Sequence, residues 1–167
     1  MIDYWRDRRA GGLTPARADI DPAGFVHLVP RVFIAARDFA DVRFRLAGEA
    51  MIELFGREAA PESALALWRS EHRGRVAALL DASLIAGEPI VLEARGDSSE
   101  GASLALEMLF APLIGPRGVA DRFLGLCQPL SGVAYGPLSP LVLVAVNGRP
   151  AERAHLRLAA VGGRRIA

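Results

Sequence analysis

Few residues in this chain could do chemistry, and they stand far apart. Its 3 histidines, His27, His72 and His155, and its single Cys127 are too scattered for a Cys–His pair, a Ser–His–Asp arrangement or a metal-ligand cluster. His72 could serve a haem or a metal only beside a pocket. With no second ligand nearby, the plainer reading is a packed histidine at the edge of a core. Cys127 lies in an apolar run with Phe123 and Gly125. A buried thiol there is an inert small hydrophobe, and its sharper use would be reaction with a flavin or an electrophile. Asp19 and Asp21 read as turn and capping chemistry, with Arg17 able to pair with either. Glu53 and Arg57 sit one helical turn apart as a surface pair. Arg43 and Arg45 alternate with Val42, Phe44 and Leu46, which places them on a solvated strand face; a patch for an anionic ligand or partner is the alternative. The residues therefore give no reason to expect an enzyme or a metal site.

The totals narrow the classes further. All 20 basic residues are arginine, which removes lysine Schiff-base chemistry and a phosphate-loop lysine. A net charge of +1 gives no broad cationic surface for nucleic acid. At 167 residues, 51% hydrophobic and 23% charged, the chain fits one domain with extensions, neither disordered nor membrane-like. Its first residues are charged and lack a signal-peptide core, and no apolar run reaches the ~18 residues of a spanning helix, so a cytoplasmic protein with no membrane span is expected.

The hydrophobic pattern supplies the scaffold. Residues 1 to about 10 form a short amphipathic helix, with Ile2, Tyr4 and Trp5 available to dock. A second helix starts at Asp21-Pro22, carries Phe25, Leu28 and Val29 on its apolar face, and is limited by Pro30. Val32 to Ile34 and Val42 to Ala47 form a hairpin through a turn at Asp38–Asp41. Met51, Leu54 and Phe55 fall on one side of a short helix that Gly56 can end in the left-handed conformation. The long helix runs from Trp68 to Ala86, with Trp68, His72, Val76, Leu80 and Ser83 on its inner stripe and Gly87 and Pro89 at its end. Three strands follow: one through Ile90, Leu92 and Ala94, one through Leu104, Leu106, Met108 and Phe110, and one from Arg122 to Gln128. Leu141 to Val146 could add a further strand. Short glycine-containing connections favour antiparallel pairing. The expected fold is α+β, a five-stranded antiparallel sheet with helices on one face. An N-terminal helical extension (1–30) precedes the core (31–129), and a partly irregular C-terminal extension (130–167) follows it.

Four motifs go beyond topology. Tyr4-Trp5 on the first helix, the segment Arg17 to Pro22 reading Arg-Ala-Asp-Ile-Asp-Pro, the segment Phe44 to Gly48 reading Phe-Arg-Leu-Ala-Gly, and Gly56-Arg57-Glu58 together resemble a bacterial family of stand-alone PAS-like domains. The resemblance covers residues 1 to about 128. It departs at Glu49, where a threonine is expected, and at Ala59-Ala60-Pro61, which replaces Leu-Thr-Gly. It implies a sensory or regulatory domain in signal transduction, with a pocket between sheet and helices for a small apolar or amphipathic molecule, a signalling protein partner, or both. It also implies a homodimer formed through the N-terminal helix. No kinase, cyclase or DNA-binding module is read in these residues, so the output is expected to pass to a separate protein. The light-sensing flavin subtype needs a cysteine on a helix, which is lacking here. Neither haem nor flavin is expected, and the cofactor is left unknown.

Met51, Phe55, Trp68, His72 and Met108 are the candidate pocket lining, with Trp68 at the mouth end of the long helix. They belong to a wider apolar set that includes Leu54, Leu79, Leu106 and Leu124, and such a set would equally make a plain core. Two alternatives follow. One is a ligand-free interaction module with a filled core. The other is a small α+β enzyme in which His72 meets a buried carboxylate.

Overall fold

The computed structural model describes residues 1–9, 11, 14–56, 63–98, 101–130, 138 and 140–147. Arg57-Glu58, Ala59-Ala60-Pro61, His155 and the basic tail lie outside them. Alternating and doubly apolar segments form strands β1 (Val32–Asp38), β2 (Asp41–Ala47), β3 (Ile90–Asp97), β4 (Ser103–Ile114), β5 (Ala120–Pro129) and β6 (Val142–Asn147). They make one antiparallel sheet of 6 strands in the order β2-β1-β5-β4-β3-β6. The expected count of five is thus short by one, because the segment read as a further strand pairs along the edge that β4 leaves open on β3 (Leu92↔Val146, Glu93↔Ala145). Both edge pairs carry a register shift, at Ile34/Ala35 and at Glu93/Ala94. Such irregularities blunt an edge against pairing with another chain.

Helix α1 (Ile2–Asp7) precedes the sheet, while α2 (Glu49–Phe55) and α3 (Ser70–Ala86) cross between β2 and β3. Gly56 and Gly87 close α2 and α3 at φ 65 in the left-handed region, where a side chain would be strained. Two local expectations change. The segment Pro22–Arg31 is a 3₁₀ helix broken at Phe25 (φ −149, ψ 35); the break turns the Phe25 ring edge-on to Tyr4, 5.0 Å between centroids. Asp21 still caps it, accepting from the Ala23 N–H at 2.9 Å. The long helix begins at Ser70, not Trp68, because Trp68 is extended (φ −98, ψ 151). Pairing with the C-terminal segment holds the backbone there: the Arg69 N–H donates to the Leu141 carbonyl at 2.9 Å and the Leu141 N–H to the Leu67 carbonyl at 2.6 Å.

The sheet is buried on both faces. Beneath α2 and α3 lies the larger core, which takes in Phe33, Phe44, Trp68, Met108 and Phe110. On the opposite face the N-terminal extension lays Ile2, Trp5, Ile20, Phe25 and Leu28 over Ile34, Leu109, Leu124 and their neighbours. Trp5 is wholly buried there and its indole N–H donates to the Pro112 carbonyl at 2.7 Å. Tyr4 fastens α1 to the start of the 3₁₀ segment: its hydroxyl donates to the Asp21 carbonyl at 3.0 Å and accepts from the Asp21 N–H at 2.7 Å. A helix of 6 residues cannot hold itself together in water; its apolar face is satisfied within the chain.

Candidate functional site

Four of the five candidate lining residues converge. Met51 and Phe55 come from α2, Met108 from the middle of β4, and Trp68 from the extended link after the 3₁₀ turn Leu65–Leu67, all in the helix-side core. Met51 is 1% exposed, Phe55 7%, Trp68 0% and Met108 0%. Period determines the convergence: Met51 and Phe55 are one turn apart on α2, and Met108 alternates with Leu106 and Phe110 on the inner face of β4. Around them the rings of Phe44, Phe33, Phe110 and Phe123 form an edge-to-face chain, with successive centroids 5.2, 5.1 and 5.6 Å apart. These four were not among the lining expected from sequence. The alternation of Phe44 with Val42 and of Phe110 with Met108 was the signal that could have found them. Leu138, Leu141 and Leu143 also enter this core, although no periodicity marks them.

His72 stands apart. It is half-buried in the first turn of α3 and outside the core cluster. Among the described residues no hydrogen bond joins its side chain to a carboxylate, and its neighbour Glu71 is fully exposed. Leu124 is also misplaced by the sequence reading. It pairs with Ile34 and Ala111 on the face under the N-terminal extension. Cys127 does face the helix-side core, opposite Met108. Burial pushes its thiol up to about 12, a little offset by Arg31, so it carries no thiolate at neutral pH.

Several charged side chains elsewhere are paired, although the buried Asp121 Oδ1 and Arg122 Nε, 3.7 Å apart, make an ion pair without a hydrogen bond among the described residues. Arg37 pairs with Asp81 of α3 at 2.8 Å at the rim of the core. Arg43 lies 3.6 Å from Asp38 across the hairpin and 3.6 Å from Asp41 on its own strand, and Arg45 lies 3.9 Å from Asp38, so both arginines make a cross-strand pair of an exposed hairpin. Within the core Trp68 stands out: its Nε1 is buried and has no hydrogen-bond partner among the described residues. Its N–H donates to the Leu65 carbonyl at 3.1 Å, its carbonyl accepts from Arg73 Nε at 3.0 Å, and its neighbours Leu67 and Arg69 are both bonded to Leu141. Among the described residues no group of three or more His, Cys, Asp or Glu side chains could hold a metal ion.

Solved structures of the same shape include a light-oxygen-voltage domain studied with a flavin analogue, at TM-score 0.50 and 15% identity over 65% of this chain and 83% of that one. A Vibrio cholera VqmA–ligand–DNA complex aligns at TM-score 0.41 and 17% identity, over 68% of this chain and 52% of its own. No curated protein matches the sequence. The likeness to the light-oxygen-voltage domain shows the fold alone. The family is shown by a PAS-domain profile that matches residues 1–128, a span holding all three helices, strands β1 to β4 and nearly all of β5. Sheet order, helix roof and sequence match agree, and the chain belongs to the PAS domain family.

Proposed function

We propose that this PAS-type sensory domain holds a small apolar or amphipathic molecule in the core between the sheet and α2 and α3, and passes its occupancy to a signalling protein partner. One observation carries the reading: the fully buried Trp68 indole has a donor with no hydrogen-bond partner among the described residues. An unmet buried donor costs about 1–3 kcal/mol. A guest molecule with an acceptor removes that cost, and its differential affinity for one packing of the helices then shifts the population the partner meets.

A ligand-free interaction module is the second reading, favoured by the tight burial of Met51, Phe55 and Met108. It leaves the Trp68 donor unexplained. Catalysis has no support from His72, so the domain is read as non-enzymatic. It is read as cytoplasmic too; no helix among the described residues is long and apolar enough to cross a membrane. A homodimer would use surface other than the apolar face of α1, since Ile2 and Trp5 are spent on the protein's own sheet.

Native mass spectrometry of freshly purified protein tests the reading. The expected result is a non-covalent adduct that is lost on unfolding and refolding. A mass equal to the bare polypeptide in every fresh preparation, together with no binding of small apolar probes, would refute it in favour of the filled interaction module.

A further inference from the structure

Among the described residues, anything that enters the helix-side core meets the unpartnered Trp68 donor and no charged side chain. The cluster itself is made of aliphatic, aromatic and sulfur-bearing side chains. The buried hydroxyls and amide of the protein are already used: Ser83 donates to the Glu88 carbonyl at 2.6 Å, Ser98 accepts from the Ala102 N–H at 3.1 Å, and Gln128 accepts from Arg31 at 2.9 Å while donating to the Pro129 carbonyl at 2.9 Å. At the rim, the Arg37 guanidinium is held by Asp81 and by the Asp41 carbonyl at 3.1 Å.

An ionised group placed among these side chains would lose its water and gain no counter-charge, which is prohibitive. Among the described side chains of this core a donor on the guest would find only the sulfurs of Met51, Met108 and Cys127, which are weak acceptors. An acceptor finds Trp68 Nε1, whose main chain is set in advance by its own bonds to Leu65 and Arg73 and by the bonds of the flanking Leu67 and Arg69 to Leu141, so little ordering is lost on binding. Met51 and Met108, unbranched and flexible, are the side chains that can repack around a guest.

From this we infer that the ligand is a neutral, mainly apolar molecule with one hydrogen-bond acceptor, of the ketone, ester or lactone kind, which receives the Trp68 indole N–H and carries no ionised group. The inference rests on the small-molecule reading proposed above and narrows it to a chemical class.

Three probes of one shape separate the possibilities: cyclohexanone, methylenecyclohexane and cyclohexanecarboxylate, titrated into the full chain with the indole ¹H–¹⁵N resonances as readout. The protein has only 2 tryptophans, so a Trp5→Phe variant assigns the Trp68 signal. Cyclohexanone is expected to move that signal and to bind about fivefold more tightly than methylenecyclohexane, the worth of one net hydrogen bond. The preference should vanish in Trp68→Phe, and the carboxylate should not bind at neutral pH. Equal affinity for ketone and alkene, an unmoved indole signal, or preferred binding of the carboxylate would overturn the ligand class while leaving a small-molecule site in place. Failure of all three probes to bind would overturn both. The comparison in the unmodified protein does not depend on the variant folding.

Discussion

The two tryptophans provide an internal control on the unpaired donor. Trp5 and Trp68 are each 0% exposed. One donates to the Pro112 carbonyl at 2.7 Å and the other has no partner among the described residues. Changing either to phenylalanine removes the same atoms from a fully buried site, with a packing loss of roughly 1–3 kcal/mol that is common to both. The remaining terms have opposite sign. Trp5→Phe also gives up a buried hydrogen bond and strips the Pro112 carbonyl of that donor, a further loss of about 1 kcal/mol. Trp68→Phe removes an orphan donor and recovers about 1 kcal/mol or more of desolvation cost. In protein freed of small molecules by refolding, Trp5→Phe should therefore be the less stable variant by about 2 kcal/mol. Guanidinium titration followed by circular dichroism gives both midpoints, and each variant retains a single tryptophan as an independent fluorescence reporter of one face of the sheet. Equal losses, or a larger loss at Trp68, would refute the claim that the Trp68 N–H is unmet.

Other consequences are as direct. Cys127, its thiol held near 12 by burial, should resist a thiol-specific reagent at pH 8 and react fully once denaturant is added; rapid labelling of the native protein would show that the helix-side core opens readily. Glu107 is held above the usual carboxylate pKa first by burial and then by Glu93 directly across the strand pair. Between its unfolded and folded pKa values the native state binds more protons, so stability falls as pH rises through that window. Glu107→Gln should accordingly stabilise at pH 7 by at most about 1 kcal/mol, with the gain gone below about pH 4, as read from melting temperatures at both pH values. A Cβ at Gly125 would run into the Phe33 ring; Gly125→Ala should cost about 1–3 kcal/mol in denaturant titration, and a second change of Phe33→Leu should return part of it.

What could be read in advance was whatever the backbone decides locally. Left-handed closure at Gly56 and Gly87, the Asp21 cap and the alternation through β4 each depend on a few neighbouring residues, and each is in place. The misses fall where the decision is made at a distance. Arg45 falls at the register shift between β1 and β2, so Leu46 pairs with Ile34 and the sheet-facing parity beyond it changes; counting by twos cannot detect an inserted residue. In β5, Phe123, Leu124, Leu126 and Cys127 are all buried, so a strand covered on both faces hides which face is which. Trp68 matches the stripe of the long helix in spacing, yet its pairing with Leu141 pulls it out of the helix. Of the candidate site, Met51, Phe55 and Met108 followed from periodicity, whereas the place of Trp68, the aromatic chain around them and the leucines from beyond residue 137 depend on pairings that only the folded sheet establishes.

The same pairing has a consequence for the core. The Leu138 N–H donates to the Leu54 carbonyl at 2.9 Å, and Leu141 is bonded on both sides of Trp68, to Leu67 and to Arg69. The approach to β6 is therefore fastened to the C-terminal turn of α2 and to the backbone that carries the unpaired indole. On the opposite face, α1 is fastened to the sheet through the Trp5 bond and does not touch this core. A rearrangement that displaces Met51 or turns Trp68 strains the bonds at Leu138 and Leu141 before it reaches anything under α1. Interiors packed this tightly pass a displacement to whatever is bonded to the moving part. The sheet stands between the two cores, and the bonds at Leu138 and Leu141 lie on the helix side of it.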